Sequence, residues 1–505
     1  MEKRKIDPIK LGAIISYIAL GVNIITGLIY TPWMVDKIGQ SNYGLYTLAT
    51  SLIAIFMLDF GLGSAVSRFV SKYRAEGNTE AINNIVGIIY KLYFIIDIVI
   101  AIVLVVVYFF IDLIYVKLTP AEIEQFKTLY LIVAGFNIIS FPFSPLNGIL
   151  NAFEKFIPLK LCDLVSKILT VAFVVIALNF SSNVALVVFA NAASNIVIIF
   201  IKLITVKTAV PIKVNFRASG SSLYKTLFSF TMWTTIISIM QRFTHSFAPS
   251  VLGMTASSIE IAIYAPAVTL EGYFYLFATA VNGLFLPKVS RYIADKKEEN
   301  ILQLMIKVGK YQIVFLGMIF VGFVSLGQEF MTLWMGPEYA RTYYCAIIIF
   351  IPTLISATQQ IANTTLIAKK LIKYQAICMI ITGMTGLAIS YVLSMYIGAM
   401  GVCVGTAITS IANMIYMNIV YKSKAQINVF EFYKKTYLRA IPCYAITIIL
   451  GLIVSSLIEV SGWIGIIIKG IVVVSIFAVV FFVIYISNKE KKEIFSKIKS
   501  KLKKG

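Results

Sequence analysis

Long apolar runs separated by short polar stretches recur along the whole chain. They cover about residues 11–34, 44–66, 87–111, 127–150, 161–180, 183–205, 229–252, 262–286, 308–328, 343–367, 375–396, 399–420, 438–458 and 463–486. Each has the roughly 20 residues that a helix needs to cross a bilayer core of about 30 Å. The runs are continuous and do not alternate apolar with polar residues. They therefore predict helices, not the strands of a barrel. The pattern predicts an all-α, polytopic membrane protein of about 14 transmembrane helices. The fifth and sixth runs are the least clearly divided, with only Ser181, Ser182 and Asn183 at the turn.

The polar landmarks between the runs repeat. Pro32 near the end of the first run is matched by Pro249, 217 residues later. Val66-Ser67-Arg68-Phe69 is matched by Val289-Ser290-Arg291-Tyr292, and the stretch beginning at Asn147 by that beginning at Asn363, with offsets of 223 and 216. Asn195 and Asn413 follow at 218. The duplication predicts two pseudo-symmetric six-helix bundles plus two C-terminal helices. The expected divisions are residues 1–215, 216–430, a two-helix hairpin at 431–488 and a basic tail at 489–505. Six helices is an even number, so both bundles enter the membrane in the same sense. Paired repeats of this kind enclose a substrate cavity in carriers that alternate access. Pro32 and Pro249 are either bending points or plain helix ends.

Composition supports the membrane reading. The chain has 505 residues, 59% of them hydrophobic, and a mean hydropathy of +0.89. The net charge of +21 is unevenly placed. Of 44 Lys and Arg residues, 38 fall at the two ends and in the even-numbered loops. Lys37, Lys117, Lys127, Arg341 and Lys469 lie on the opposite side, and Arg242 lies within a helix. This asymmetry puts both termini in the cytoplasm and the protein in the cytoplasmic membrane. It accounts for the basic balance without a nucleic-acid partner. The Lys-rich tail either lies on anionic membrane lipids or is simply solvated. The five Cys show no paired or metal-ligand spacing, and no phosphate-cradling loop is present, so neither metal nor cofactor is expected. The outer segments are too short for a catalytic domain, so no enzymatic activity is expected.

The candidate chemistry lies in polar groups within the apolar runs, which are costly there unless used. Ser238, Arg242, His245 and Pro249 follow one helical face, with Gln241 adjacent. A guanidinium near the middle of the membrane suits an anionic group, above all a phosphate held through two hydrogen bonds. On the next helix Tyr264, Glu271, Tyr275 and Asn282 share a face. Glu271 is either a partner for Arg242 or a proton or cation site. Asn23 and Tyr30 line one side of the first helix, a pattern that suits sugar hydroxyls and equally any wet cavity. Arg68, Arg291 and Asp59 stand at the inner ends of equivalent helices, as gate residues or ordinary anchors. Asp97 is a candidate coupling-ion ligand. Asp163 and Lys167, four residues apart, are expected to satisfy one another.

The sequence resembles one known family. Gly39 followed by Tyr43-Gly44-Leu45, the segment Asp59-Phe60-Gly61 through Ser67-Arg68, and Glu271-Gly272-Tyr273 leading to Asn282-Gly283 and Pro287 through Arg291 carry the likeness. These motifs resemble those of the Wzx-like polysaccharide flippases, the O-antigen and teichoic acid exporters. Those proteins belong to the multidrug/oligosaccharidyl-lipid/polysaccharide exporter superfamily. The resemblance implies two six-helix bundles with two further helices, and translocation of an undecaprenyl-diphosphate-linked oligosaccharide for cell-surface polysaccharide. It also implies polysaccharide polymerase and glycosyltransferases as partners. Many relatives carry an Asp near the middle of helix seven, where this chain has Arg242-Phe243-Thr244-His245. Their coupling mechanism therefore does not carry over. The alternatives are a small-molecule antiporter of the same superfamily, a peptidoglycan-precursor flippase and a membrane scaffold.

Overall fold

The computed structural model describes residues 8–57, 60–218, 232, 235–243, 246–279, 285–486 and 491. Side chains are described from residue 20 onward, except those of 278 and 279. Asp59, His245, Asn282 and nearly all of the basic tail lie outside the described residues.

Helices follow one another along the chain, with no strand among the described residues: α1 (Pro8–Ile38), α2 (Gln40–Phe56), α3 (Leu62–Ala75), α4 (Thr79–Ile114), α5 (Pro120–Ser140), α6 (Pro145–Ala152), α7 (Phe156–Phe180) and α8 (Val184–Ala209). Then come α9 (235–243), α10 (Ala248–Thr255), α11 (Ser258–Thr279), α12 (Leu286–Ala294), α13 (Glu299–Met335), α14 (Ala340–Thr358), α15 (Gln360–Ala368), α16 (Ile372–Ser423), α17 (Val429–Thr436), α18 (Ala440–Leu457) and α19 (Gly462–Val480). Among the described residues, nine helical segments are long and apolar enough to cross a membrane. In their described residues the fourteen predicted spans are mainly helical, and the protein is a multi-pass, all-α membrane protein.

Caps and breaks set the lengths. Asn78 accepts from Ala81 N at the start of α4, and Asn183 accepts from Ala185 N at the start of α8. Thr119 and Glu122 form a reciprocal capping box ahead of α5, with Pro120 in the first turn. Several predicted spans are interrupted. The 44–66 run is two helices, because Phe60 and Gly61 both adopt positive φ, which no right-handed helix continues. The 127–150 run carries a 3-10 turn at Phe141–Phe143, where Pro142 supplies no N–H. The runs at 375–396 and 399–420 join in α16, with non-helical backbone at Ile397 and Gly398. Pro249 opens α10 after a bend at Phe247, whereas Pro32 sits inside the unbroken α1.

The chain packs as two compact units. One is Met1–Ala265 with Met379–Gly405; the other is Pro266–Cys378 with Thr406–Gly505. In the first, α1 packs on α7, α7 on α8, α3 on α4 and α6, and α5 on α2, α4 and α8. Its helices bury one face and expose the other to lipid. On α4, Ile85, Ile88, Ile89, Tyr93 and Leu104 are buried, while Ile98, Ile102 and Phe109 are exposed. Ser41 and Ser258, separated by the repeat offset of 217, meet at 3.0 Å, and both donate to the Glu122 carboxylate. In the second unit, α13 packs on α14, α17, α18 and α19. The Tyr444 hydroxyl ties α18 to α13 by donating to the Ile313 carbonyl at 2.7 Å. Asp163 pairs with Lys160 at 3.2 Å, not with Lys167 as the four-residue spacing suggested.

Candidate functional site

The first unit holds a cavity of about 1080 Å³. Three helical faces build its polar wall. From α3 come Ser64, Ser67, Arg68 and Ser71, at steps that return to one face. From the end of α5 through α6 come Asn137, Ser140, Ser144, Asn147 and Asn151, again at steps of three and four. From α9 and its continuation come Ser238, Gln241, Arg242 and Ser246.

Two glycines let these faces approach. Gly61, at φ 68°, turns the chain into α3. Gly148 lies against α3 so closely that a Cβ there would stand 2.7 Å from the Gly63 carbonyl oxygen and 2.8 Å from Val66 Cβ. At the far end of the same contact Arg74 donates to the Ala152 carbonyl at 3.0 Å. The two faces therefore meet by direct backbone approach at Gly148.

Electrostatically the lining is one-sided. It carries Arg68 and Arg242 and, among the described residues, no Asp or Glu. Arg242 makes no ion pair among the described residues. Ser64 and Ser140 turn their hydroxyls back to the Gly61 and Asn137 carbonyls. Asn137 donates to the Val133 carbonyl. The side chains of Ser67, Ser144, Asn147, Asn151 and Gln241 have no hydrogen-bond partner among the described residues, so their donors and acceptors are open to a ligand. Two permanent cations beside a ladder of amides and hydroxyls can bind an anion through charge-assisted hydrogen bonds and neighbouring hydroxyls through neutral ones.

Sequence reasoning selected Arg242, Gln241, Ser238 and Arg68, and the structure brings these four into the one cavity. Arg68, expected as a gate residue or an ordinary anchor, shares a wall with the Ser and Asn ladder. Asn23 and Tyr30 lie on α1 and are not among the lining residues described; the Tyr30 hydroxyl donates to Met34 Sδ at 3.1 Å. In the second unit Glu271 accepts from the Thr353 hydroxyl at 2.8 Å, Tyr275 Oη accepts from Gln360 at 3.2 Å, and Arg291 is exposed on α12. The Ser and Asn ladder was missed. Its signal was in the sequence as a three-four spacing of Asn137, Ser140, Ser144, Asn147 and Asn151 inside an apolar run.

A second, smaller pocket of about 540 Å³ lies in the second unit, lined by Gln328, Glu329, Thr332, Tyr343, Ser455 and Ser461 among others. Its charged side chain, Glu329, is matched internally. Lys469, only 5% exposed, donates to Glu329 at 2.8 Å, and the Tyr343 hydroxyl donates to the Val324 carbonyl.

An all-helical membrane fold enclosing a cationic, hydroxyl-rich cavity defines a carrier-type protein, and comparison with known proteins agrees. The family model described as polysaccharide biosynthesis protein matches residues 10–285, more than half of the chain. The chain belongs to that family. No match was found among curated proteins. Among solved structures, an inward closed conformation of the lipid II flippase MurJ is 16% identical, with a TM-score of 0.68; the likeness covers 94% of this chain and 98% of that one. An inward-facing multidrug resistance transporter of the MATE family is 12% identical, with a TM-score of 0.67 over 82% of this chain and 99% of the other. A superfamily transporter from Pyrococcus furiosus, described as having a binding pocket of reverse polarity, gives 14% identity and a TM-score of 0.54 over 83% and 97%. At these identities the likeness shows the shared fold.

Proposed function

We propose that this protein is a flippase that carries a polyprenyl-diphosphate-linked oligosaccharide, of the undecaprenyl type, across the cytoplasmic membrane for cell-surface polysaccharide synthesis. The observation that carries the reading is the cavity whose described lining holds Arg68 and Arg242 and no Asp or Glu. Arg242 and Arg68 hold the diphosphate through charge-assisted hydrogen bonds. Ser67, Ser144, Asn147, Asn151 and Gln241 meet sugar hydroxyls. The polyprenyl tail stays in the bilayer, where its transfer to water is avoided. The Lys and Arg asymmetry supports cytoplasmic termini, and the repeat supports two six-helix halves working by alternating access.

A cationic-drug antiporter is the weaker reading, because two arginines would repel a cation from this lining. A peptidoglycan-precursor flippase shares the diphosphate chemistry and differs in the sugar. The test is the sidedness of lipid-linked sugar in cells lacking the protein. Accumulation of cytoplasm-facing polyprenyl-diphosphate oligosaccharide is expected, relieved by the wild-type protein and not by Arg242→Ala at equal protein level. Normal sidedness, with no second flippase present, would overturn the reading. Accumulation of the peptidoglycan precursor instead would move the substrate to that lipid.

A further inference from the structure

Asp97 is a carboxyl that the proposed binding site does not use. It lies midway along α4, is 8% exposed, and its Oδ1 has no hydrogen-bond partner. It sits on the buried face of the helix, between Tyr93 and Ile100, while Phe94, Ile95, Ile98 and Val99 face outward.

The packing of α4 against α5 fixes what lies beside it. The Tyr130 hydroxyl donates to the Leu104 carbonyl at 2.8 Å. Eleven residues further along α5, the Phe141 ring packs 5.3 Å from Tyr93, which is eleven residues back along α4. This antiparallel register sets Asp97 level with Asn137. Both Asn137 and Phe141 line the cavity. Asp97 therefore stands one layer behind the cavity wall.

No counter-charge pairs with it among the described residues. The elements packed on α4 are α2, α3, α5, the Phe141–Phe143 turn and, at its N-terminal end, the segment 213–218. Their titratable and charged groups are Tyr43 and Tyr46 on α2; Arg68, Lys72, Tyr73 and Arg74 on α3; Glu122, Glu124, Lys127 and Tyr130 on α5; and Lys213 and Arg217 in the 213–218 segment. On α4 itself they are Glu80, Tyr90, Lys91, Tyr93, Tyr108 and Asp112. Among the described residues Asp97 pairs with none of them. Lys127 is taken by Asp112, and Lys91 donates to the Ala218 carbonyl. A metal cation would need several oxygen ligands gathered here; a proton needs only the carboxyl.

We propose that Asp97 is a proton-binding site set behind the cavity wall, whose occupancy is coupled to movement of ligand through the cavity. This rests on the flippase reading of the cavity. A proton joins one carboxylate oxygen in one state of the carrier and leaves it in the other; no other bond is made or broken. A lone carboxylate charge in apolar surroundings demands water or a donor. A rearrangement of α4 against α5 or the Phe141 wall would supply these from the cavity side, so the proton and the cavity's shape bias the same equilibrium.

The experiment uses the full chain in proteoliposomes with a fluorescent polyprenyl-diphosphate disaccharide, under an imposed pH gradient. The wild-type rate is expected to rise with the gradient. Asp97→Asn is expected to lose that response while still equilibrating the probe without a gradient, and Asp97→Glu to keep it. A full gradient response in Asp97→Asn, or stimulation by sodium in place of protons, overturns the proposal. A second readout separates this failure from failure of the flippase reading. In pH-difference infrared spectra, the wild type is expected to show a protonated-carboxyl band that Asp97→Asn lacks. If the wild type does not move the probe at all, the substrate reading fails and the band alone decides the site. A missing band supports Asp97, and unchanged spectra refute it.

Discussion

Two polar hollows in one chain make opposite use of charge. The cavity of the first unit shows Arg68 and Arg242 with no acid among its described lining residues, beside a ladder in which Ser144, Asn147 and Asn151 have no side-chain hydrogen-bond partner among the described residues. The pocket of the second unit is lined by Glu329, which accepts from the buried Lys469 beside it, and by Tyr343, which spends its hydroxyl on a backbone carbonyl. In an apolar membrane protein the second arrangement is what structure alone requires, since a buried charge must be matched. The first carries Arg242 with no ion pair among the described residues, a charge that an arriving anion can match. The contrast separates a hollow that holds helices together from one that receives a ligand.

The comparison breaks most readily at Arg242. Replacement by Ala removes a charge-assisted interaction and is expected to lower transport by between about 10-fold and 100-fold, with unchanged thermal stability in detergent. Arg242→Lys keeps the charge without the planar fork and should fall between. Equal rates for wild type and Arg242→Ala would remove the cavity's claim to function. The opposite signature is expected in the second unit. Glu329→Ala leaves Lys469 buried without its partner, at a cost of about 3 kcal/mol. A lowered melting temperature should follow, and Lys469→Met in the same chain should restore most of it.

Gly148 sharpens the geometric part of the account. Its Cβ in Gly148→Ala would press on Gly63 and Val66, and overpacking of this kind costs about 1–3 kcal/mol. Separation of α3 from α6 would move the Ser and Asn faces apart, so transport should fall along with stability. Smallest are the ladder residues. Asn147→Ala and Asn151→Ala each remove a neutral hydrogen bond of about 1 kcal/mol, roughly fivefold in transport. The loss should be larger for probes carrying more sugar units than for a bare polyprenyl diphosphate.

Much of the fold was legible because lipid imposes a simple rule: apolar length reads as helix. The breaks were harder. The interruption before α3 depends on positive φ at Phe60 as well as Gly61, and Phe60 gives no such signal in the sequence. The 3-10 turn at Phe141–Phe143 could have been read from Pro142 and Pro145. In the site, Arg242 and Arg68 stood out as charges in apolar surroundings. The ladder did not, because isolated Ser and Asn residues are unremarkable until their spacing is counted. Lys469 was visible as a charge, but its partner Glu329 is 140 residues away and emerges only when α13 and α19 pack together.

The most direct test of the central claim is a binding titration on the purified protein in lipid nanodiscs. Polyprenyl diphosphate, polyprenyl monophosphate and the polyprenyl alcohol are compared on wild type and on the Arg68→Ala, Arg242→Ala double variant. A receiving cavity predicts tightest binding for the diphosphate, weaker binding for the monophosphate, and loss of that order in the double variant. Equal binding of diphosphate and alcohol, or an order unchanged in the double variant, would contradict it.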